Sequence, residues 1–410
     1  MRSPRTLPLA GAAALSLAVA VTACSQEDAS PIPDPAITTA AENTGNVQPG
    51  APYAGELPLD RLNVPAGYAV DVFAEGLENA RSLAYAGDGL VFVGTRGGGG
   101  RVYAAQDTNG DLRADVTYVL AEGLKMPNGV ALRGDDLYVA TVSEVLRWRD
   151  ARDRLDDPGE PEVVYDGYPT EEHHGWKFIA FGPDDKLYVP VGAPCNICES
   201  DAIYASITRL DVDAPDPEPE LVARGVRNSV GFTWHPATGE MWFTDNGRDM
   251  LGDDVPPCEL NRLPAGGGVG AGAAPHFGYP YVHGGDIADP EFGAGVDTTA
   301  YRSPAQRLGP HVAPLGVEFV DSPAFGELAG QALIAEHGSW NRTEPIGYRL
   351  TRVAVDAEAG RGEGYEVFID GWLQEDGPWG RPVDLEWLPD GSLLVSDDFA
   401  GAIYRVYRVG

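Results

Sequence analysis

Basic residues are scarce in this chain. Lys and Arg total 29 against 62 Asp and Glu in 410 residues, a formal net charge of −33. A surface this acidic repels phosphate, and no Lys/Arg-rich face offsets it, so nucleic acid is excluded as a partner. Long apolar runs are scarce too. The one extended run, Leu7 to Ala23, is too short and too rich in alanine for a comfortable membrane span. No segment keeps a 3.6-residue apolar period, so few helices are expected. What is plentiful is the material of a packed fold: 43% hydrophobic residues, with 8 Trp, 17 Tyr and 12 Phe, excludes disorder over most of the length. The 52 Gly and 34 Pro follow no collagen period and point to many tight turns, as an all-β fold requires.

The N-terminus reads as an export signal. Arg2 and Arg5 precede the short apolar run, which ends Val21-Thr22-Ala23-Cys24. Small residues before a cysteine at this point resemble a lipoprotein cleavage site. Residues 1–23 are therefore expected to be removed and Cys24 to carry the acyl chains that anchor the protein. Ser25 follows, not Asp, which directs the expectation to the outer membrane and the periplasmic face of the cell envelope. Residues 24–58, with Pro31, Pro33, Pro35, Pro49 and Pro52 among small polar residues, read as a flexible tether.

A repeat organises residues 59–410. A short apolar strand, an Asp/Gly turn and a second strand recur at Ala80–Gly94, Pro127–Ala140, Lys177–Pro190, Val230–Thr244 and Arg381–Ser396, with a looser copy over Pro314–Ala335. Taking Gly76, Gly123, His174 and Gly225 as marks, the steps are 47, 51 and 51 residues. That period suits a four-stranded blade, and six copies predict an all-β, six-bladed β-propeller around a central channel. Between Leu251 and Pro310 the pattern lapses, and a long loop insertion on one face is expected there.

Candidate chemistry lies between the strands. His173-His174 precedes the third blade, and a neutral imidazole at a blade's inner edge suits a general base. Arg227-Asn228 opens the fourth blade, Arg381 opens the sixth, and His337-Gly-Ser-Trp-Asn-Arg342 closes the fifth. Arginines from separate blades at one channel mouth point to a small polyanion. Asp245-Asn-Gly-Arg-Asp249 after the fourth blade offers oxygens to a hard cation. Asp107-Thr-Asn-Gly-Asp111…Asp115 is either a second Ca²⁺ loop or an Asp/Asn turn. Cys195-Asn-Ile-Cys198 is followed by Glu199, not His, which excludes covalent haem. A structural disulfide is expected, with Cys258 leaving the pairing open.

These motifs together resemble the soluble pyrroloquinoline-quinone (PQQ) sugar dehydrogenases of the sorbosone/aldose dehydrogenase type, over residues 60–408. The resemblance implies an oxidoreductase that oxidises an aldose or related sugar aldehyde at C1 with PQQ and Ca²⁺. His174 matches the family's base, and Arg227 and Asn228 match its quinone-binding pair. Arg381 matches a carboxylate-binding arginine, Arg342 a basic cofactor contact and Arg96 a channel arginine. The carbonyls of Gly247 and Arg248 match those that hold Ca²⁺. The family's glucose-oxidising members orient the base with an Asp that is absent from Val191-Gly-Ala-Pro-Cys195, which leaves Glu171 or Glu172 for that role. An electron acceptor in the envelope is implied. Two rival readings are a Ca²⁺-dependent sugar lactonase, for which Asn128 would be a ligand, and a non-catalytic carbohydrate-binding propeller.

Overall fold

In a computed structural model, residues 55–264, 268–270 and 272–409 are described. The signal, Cys24 and all but the last residues of the tether lie outside them. Among the described residues there is no α-helix, only four short 3₁₀ segments.

Six four-stranded antiparallel sheets follow one another as the repeat requires. Blade 1 runs from Ala80–Gly87 to Val116–Ala121, blade 2 from Gly129–Arg133 to Glu162–Tyr165, and blade 3 from Ala180–Phe181 to Glu220–Arg224. Blade 4 begins at Phe232–Trp234, and blade 5 runs from Pro314–Phe319 to Arg361–Ile369. Blade 6 takes Pro382–Trp387, Leu393–Asp397 and Ala402–Arg408 from the C-terminus, and its outer strand, Tyr68–Glu75, from the start of the fold. Tyr68 pairs with Arg408 and Glu75 with Ala402, so the ends of the domain close the ring.

The segment after Leu251 is not the single loop insertion that the lapse in pattern predicts. It contains blade 4's third strand, Glu259–Leu263, its fourth, Gln306–Arg307, and an added hairpin, Val282–His283 with Ile287–Ala288. The third strand escapes a search for apolar runs because Glu259 and Asn261 are buried in it.

The core is divided among the interfaces between blades. One cluster joins Leu394 and Ile403 of blade 6 to Val91 and Val93 of blade 1. Others join Phe92 to Val139, Val139's neighbour Tyr138 to Val189, Ile207 to Phe243, Trp242 to Ile334, and Leu333 to Val395 around the ring. Second strands are packed on both faces and therefore read as unbroken apolar runs: every residue of Leu90–Thr95 and of Leu187–Val191 is buried. Outer strands meet water on one side and alternate, as Val116–Ala121 does. Inner strands are left free to turn polar residues toward the axis, and the site is built there.

Candidate active site

His174 sits in the turn leading into blade 3, buried, with φ 53° in the left-handed region. Few side chains accept that conformation, and His is among those that do. Its Nδ1 lies 2.9 Å from the Ala193 carbonyl oxygen. A carbonyl only accepts, so Nδ1 carries the hydrogen and Nε2 keeps a free lone pair. This corrects the expectation that Glu171 or Glu172 orients the base. Glu171 accepts from Tyr204 Oη at 2.6 Å and Glu172 pairs with Lys125 at 3.1 Å, both outside the site. Gly192 makes the arrangement possible, since a Cβ there would stand 2.5 Å from His174 Cβ and 2.7 Å from its carbonyl oxygen. Burial, followed by the Arg227 charge and then His173, holds the His174 imidazole well below its ordinary titration range, which favours the neutral ring. His173 is exposed, its ring 4.0 Å from that of His174.

Arg227 and Asn228 are organised by the end of blade 4's second strand. Asp245 accepts from the Arg227 and Asn228 backbone N–H groups at 2.9 and 2.7 Å. The Asn228 carbonyl in turn accepts from Asn246 Nδ2 at 2.9 Å. Arg227 itself is buried, with its nearest carboxylate, Asp249, at 3.4 Å. The Gly247 and Arg248 carbonyl oxygens accept no hydrogen bond among the described residues, whereas the Arg248 side chain is drawn off into the insertion by Asp289 at 2.6 Å and Glu291 at 2.9 Å. A cavity beneath this turn is lined by Arg227, Asp245, Gly247, Arg248, Glu259 and Tyr279, among others.

The Arg96 guanidinium carbon lies over the Trp176 ring, 3.8 Å from its centre, and the side chain makes no hydrogen bond or ion pair among the described residues. Burial and the nearby charge of Arg81 lower its pKa to about 10. Trp176 Nε1 beneath it is buried without a partner, and the Trp176 ring meets that of His174 edge-on at 6.1 Å. Arg381 donates only to carbonyl oxygens, those of His337 and Gly338, each at 3.0 Å. Beside it His337 Nε2 meets Asp398 at 2.7 Å, and Arg81 holds the other oxygen of that carboxylate at 2.8 Å. Blades 1, 3, 4 and 6 thus bring His174, Arg96, Arg227, Asn228 and Arg381 to one mouth. Arg342 stands apart from that group, committed to the Asp253 carbonyl and, at 3.5 Å, to Asp254.

Several motifs resolve into scaffold. Asp107 accepts from the N–H groups of Asn109, Gly110 and Leu112, which is the Asp/Asn turn reading of that loop. Asn128 is spent on Arg81 and the Lys177 carbonyl, so it is not free to serve as a lactonase's ligand. Cys195 and Cys198 form the disulfide, and Cys258 is buried and free, its thiol pushed up to about 12 by burial. No group of three or more His, Cys, Asp or Glu side chains is placed to hold a metal among the described residues. A cation here would depend on carbonyl oxygens and on its ligand.

The fold and this mouth define a class: a six-bladed propeller with a desolvated imidazole among three arginines, of which Arg96 and Arg381 form no ion pair and Arg227 has Asp249 at 3.4 Å. Comparison with known proteins narrows it. The chain matches the TrAA12-like family over residues 62–284 and 296–409, and it belongs to that family. A protein from Borreliella burgdorferi described as "Uncharacterized protein" is 32% identical over 368 residues, 86% of this chain and 93% of its own. Among solved structures, the calcium structure of Trichoderma reesei Carbohydrate-Active Enzymes Family AA12 superposes with a TM-score of 0.72 at 23% identity, covering 89% of this chain and all of the other. The holo form of the pyranose dehydrogenase PQQ domain from Coprinopsis cinerea superposes with a TM-score of 0.69 at 20% identity, covering 85% of this chain and 97% of the other. At these identities the two structures share the fold.

Proposed function

We propose that this protein is a sugar oxidoreductase that oxidises an aldose or related aldehyde at C1, with PQQ as its electron acceptor and Ca²⁺ beside it. The observation that carries this reading is the Arg96–Trp176 pair. A cation stacked against a ring whose indole N–H is orphaned, with no ion pair of its own and its nearest charge, Asp398, already held by Arg81 and His337, fits the carboxylates of a planar aromatic ligand. Arg227 and Arg381 flank the same mouth, and the open carbonyls of Gly247 and Arg248 fit a hard cation. The names of the two structural neighbours support the same cofactor, the same cation and the same substrate class.

When bound, PQQ supplies a two-electron acceptor for the hydride leaving C1, and Ca²⁺ supplies Lewis acidity. The chain's own part is binding, orientation and proton transfer. Arg96, Arg227 and Arg381 bind negative charge in a shielded mouth, where it is screened least. Asn228 fixes the edge of the cradle. His174 Nε2 takes the C1 hydroxyl proton, and the Ala193 carbonyl holds the Nδ1–H as the ring becomes charged. We also propose that Cys24 carries the lipid anchor, which would hold the enzyme at the periplasmic face of the outer membrane, near an electron acceptor in the envelope.

The deciding experiment adds PQQ and Ca²⁺ to purified apoprotein and follows sugar-dependent reduction of an artificial dye. Dye reduction that needs both additions is expected. Reduction without added quinone, or none with it, overturns the reading. For the anchor, Cys24→Ser should move the protein from the membrane to the soluble fraction, and a wild type already soluble in the periplasm refutes it.

A further inference from the structure

The Cys195–Cys198 disulfide closes a four-residue loop beyond blade 3's second strand, and the sequence between the two sulfurs is not idle. The Asn196 carbonyl oxygen accepts from Arg227 Nε at 2.9 Å. Its side-chain Oδ1 accepts from Arg227 NH2 at 2.9 Å and from the Asp249 backbone N–H at 2.8 Å. Its Nδ2 donates back to the Asp249 carbonyl at 3.1 Å. One residue thus takes two parallel bonds from one edge of a guanidinium from blade 4 and holds, in both directions, the end of the turn that carries Gly247 and Arg248.

The loop is itself fixed from outside. Tyr279, in the insertion, accepts from the Cys198 N–H at 3.0 Å through its hydroxyl and lies 3.4 Å from Cys195 Sγ. Arg227 NH1 also donates to the Asn246 carbonyl at 3.2 Å, which leaves one NH1 hydrogen uncommitted. A free arginine has many rotamers, and a ligand that had to order it would forfeit affinity in doing so. Here the fork is ordered before any ligand arrives.

We propose that Asn196, held by the Cys195–Cys198 disulfide, is a positioning residue that sets the plane of the Arg227 guanidinium and the seat of the Asn246–Asp249 turn for an anionic ligand. It acts through Arg227 and does not touch the ligand. The inference rests on the reading of Arg227 as a quinone-binding residue.

The test is a double-mutant cycle read as PQQ affinity of the apoprotein in Ca²⁺, by quenching of tryptophan fluorescence, with no turnover required. Asn196→Ala should weaken PQQ binding by about tenfold or more. In an Arg227→Ala background the same change should cost less than about twofold, because its target is gone. Melting temperatures should stay close to wild type, since the disulfide loop lies outside the six inter-blade clusters. The variant Cys195→Ser/Cys198→Ser, which keeps Asn196 but frees its loop, should weaken binding in the same direction and serves if Asn196→Ala misfolds. Equal losses in both backgrounds, or wild-type affinity in Asn196→Ala and in the double serine variant, overturn the inference while leaving the quinone reading intact. Wild-type protein that does not bind PQQ overturns both.

Discussion

Two histidines one position apart have opposite fates, and only the backbone explains it. His174 is turned inward by its left-handed φ and caught by Ala193, whereas His173 stays in solvent. His174→Ala should lower kcat by at least about a hundredfold, and His173→Ala by only a few-fold; a dead His173→Ala variant would reverse the assignment. Burial and the Arg227 charge push the His174 imidazole down from about 6.5. Carboxylates that neutralise Arg227 and Arg96 should raise it again. Imidazole NMR should therefore show His174 titrating lower in apoprotein than in PQQ-loaded protein, and no difference would mean that the ligand's charge sits elsewhere. Arg381→Ala and Arg227→Ala each remove a charge-assisted contact of about 1.5–3 kcal/mol, so each should weaken PQQ binding about ten- to a hundredfold. Unchanged affinity in both would remove the arginines from the cofactor site.

The element that aims the base is the end of blade 3's second strand, and its tolerance is small. Gly192→Ala would set a methyl group 2.5–2.7 Å from His174, against backbone as well as side chain. Activity should fall at least tenfold while far-ultraviolet circular dichroism stays unchanged, because the strand Leu187–Val191 ends before it; a fully active Gly192→Ala variant would show that the turn can yield. Blades were legible from sequence because two-faced burial writes an unbroken apolar run, as in Leu187-Tyr-Val-Pro-Val191. Glu259–Leu263 was not, because two buried polar residues break the pattern: Glu259, which lines the cavity, and Asn261, which donates to the Glu259 carboxylate. For the same reason the arginines could be picked out by their place at the start of a blade, while Ala193 and Asn196 could not: one acts through its carbonyl, and the other looked like spacing between cysteines. His174 is oriented by a backbone oxygen, that of Ala193, which no side-chain motif can announce.

At two interfaces of the ring, between blades 6 and 1 and between blades 4 and 5, carboxyl groups join neighbouring inner strands. Asp384 accepts from Leu83 N at 2.9 Å, Glu386 from Tyr85 N at 3.1 Å and Glu318 from Thr233 Oγ1 at 3.1 Å. Burial raises Asp384 to about 7 and Glu386 to about 8, and raises Glu318 as well, with Glu386 and Asp384 adding to it. These groups hold protons in the folded state that the unfolded chain has released above about pH 4. The folded state binds more protons in that window, so stability falls as pH rises through it and levels off above about 8. Melting temperature should be lower at about pH 8.5 than at about pH 6, and Asp384→Asn with Glu386→Gln should flatten the decline; an unchanged slope would place the loss elsewhere. The closing strand carries a different consequence, one of timing. Tyr68–Glu75 leaves the ribosome among the first residues of the domain, yet its partner, Ala402–Arg408, comes last. Throughout synthesis the first strand has an open edge and the ring a gap between its first blade and its last. A chain so arranged can close its ring only after its last strand has been made, however early the first blades form.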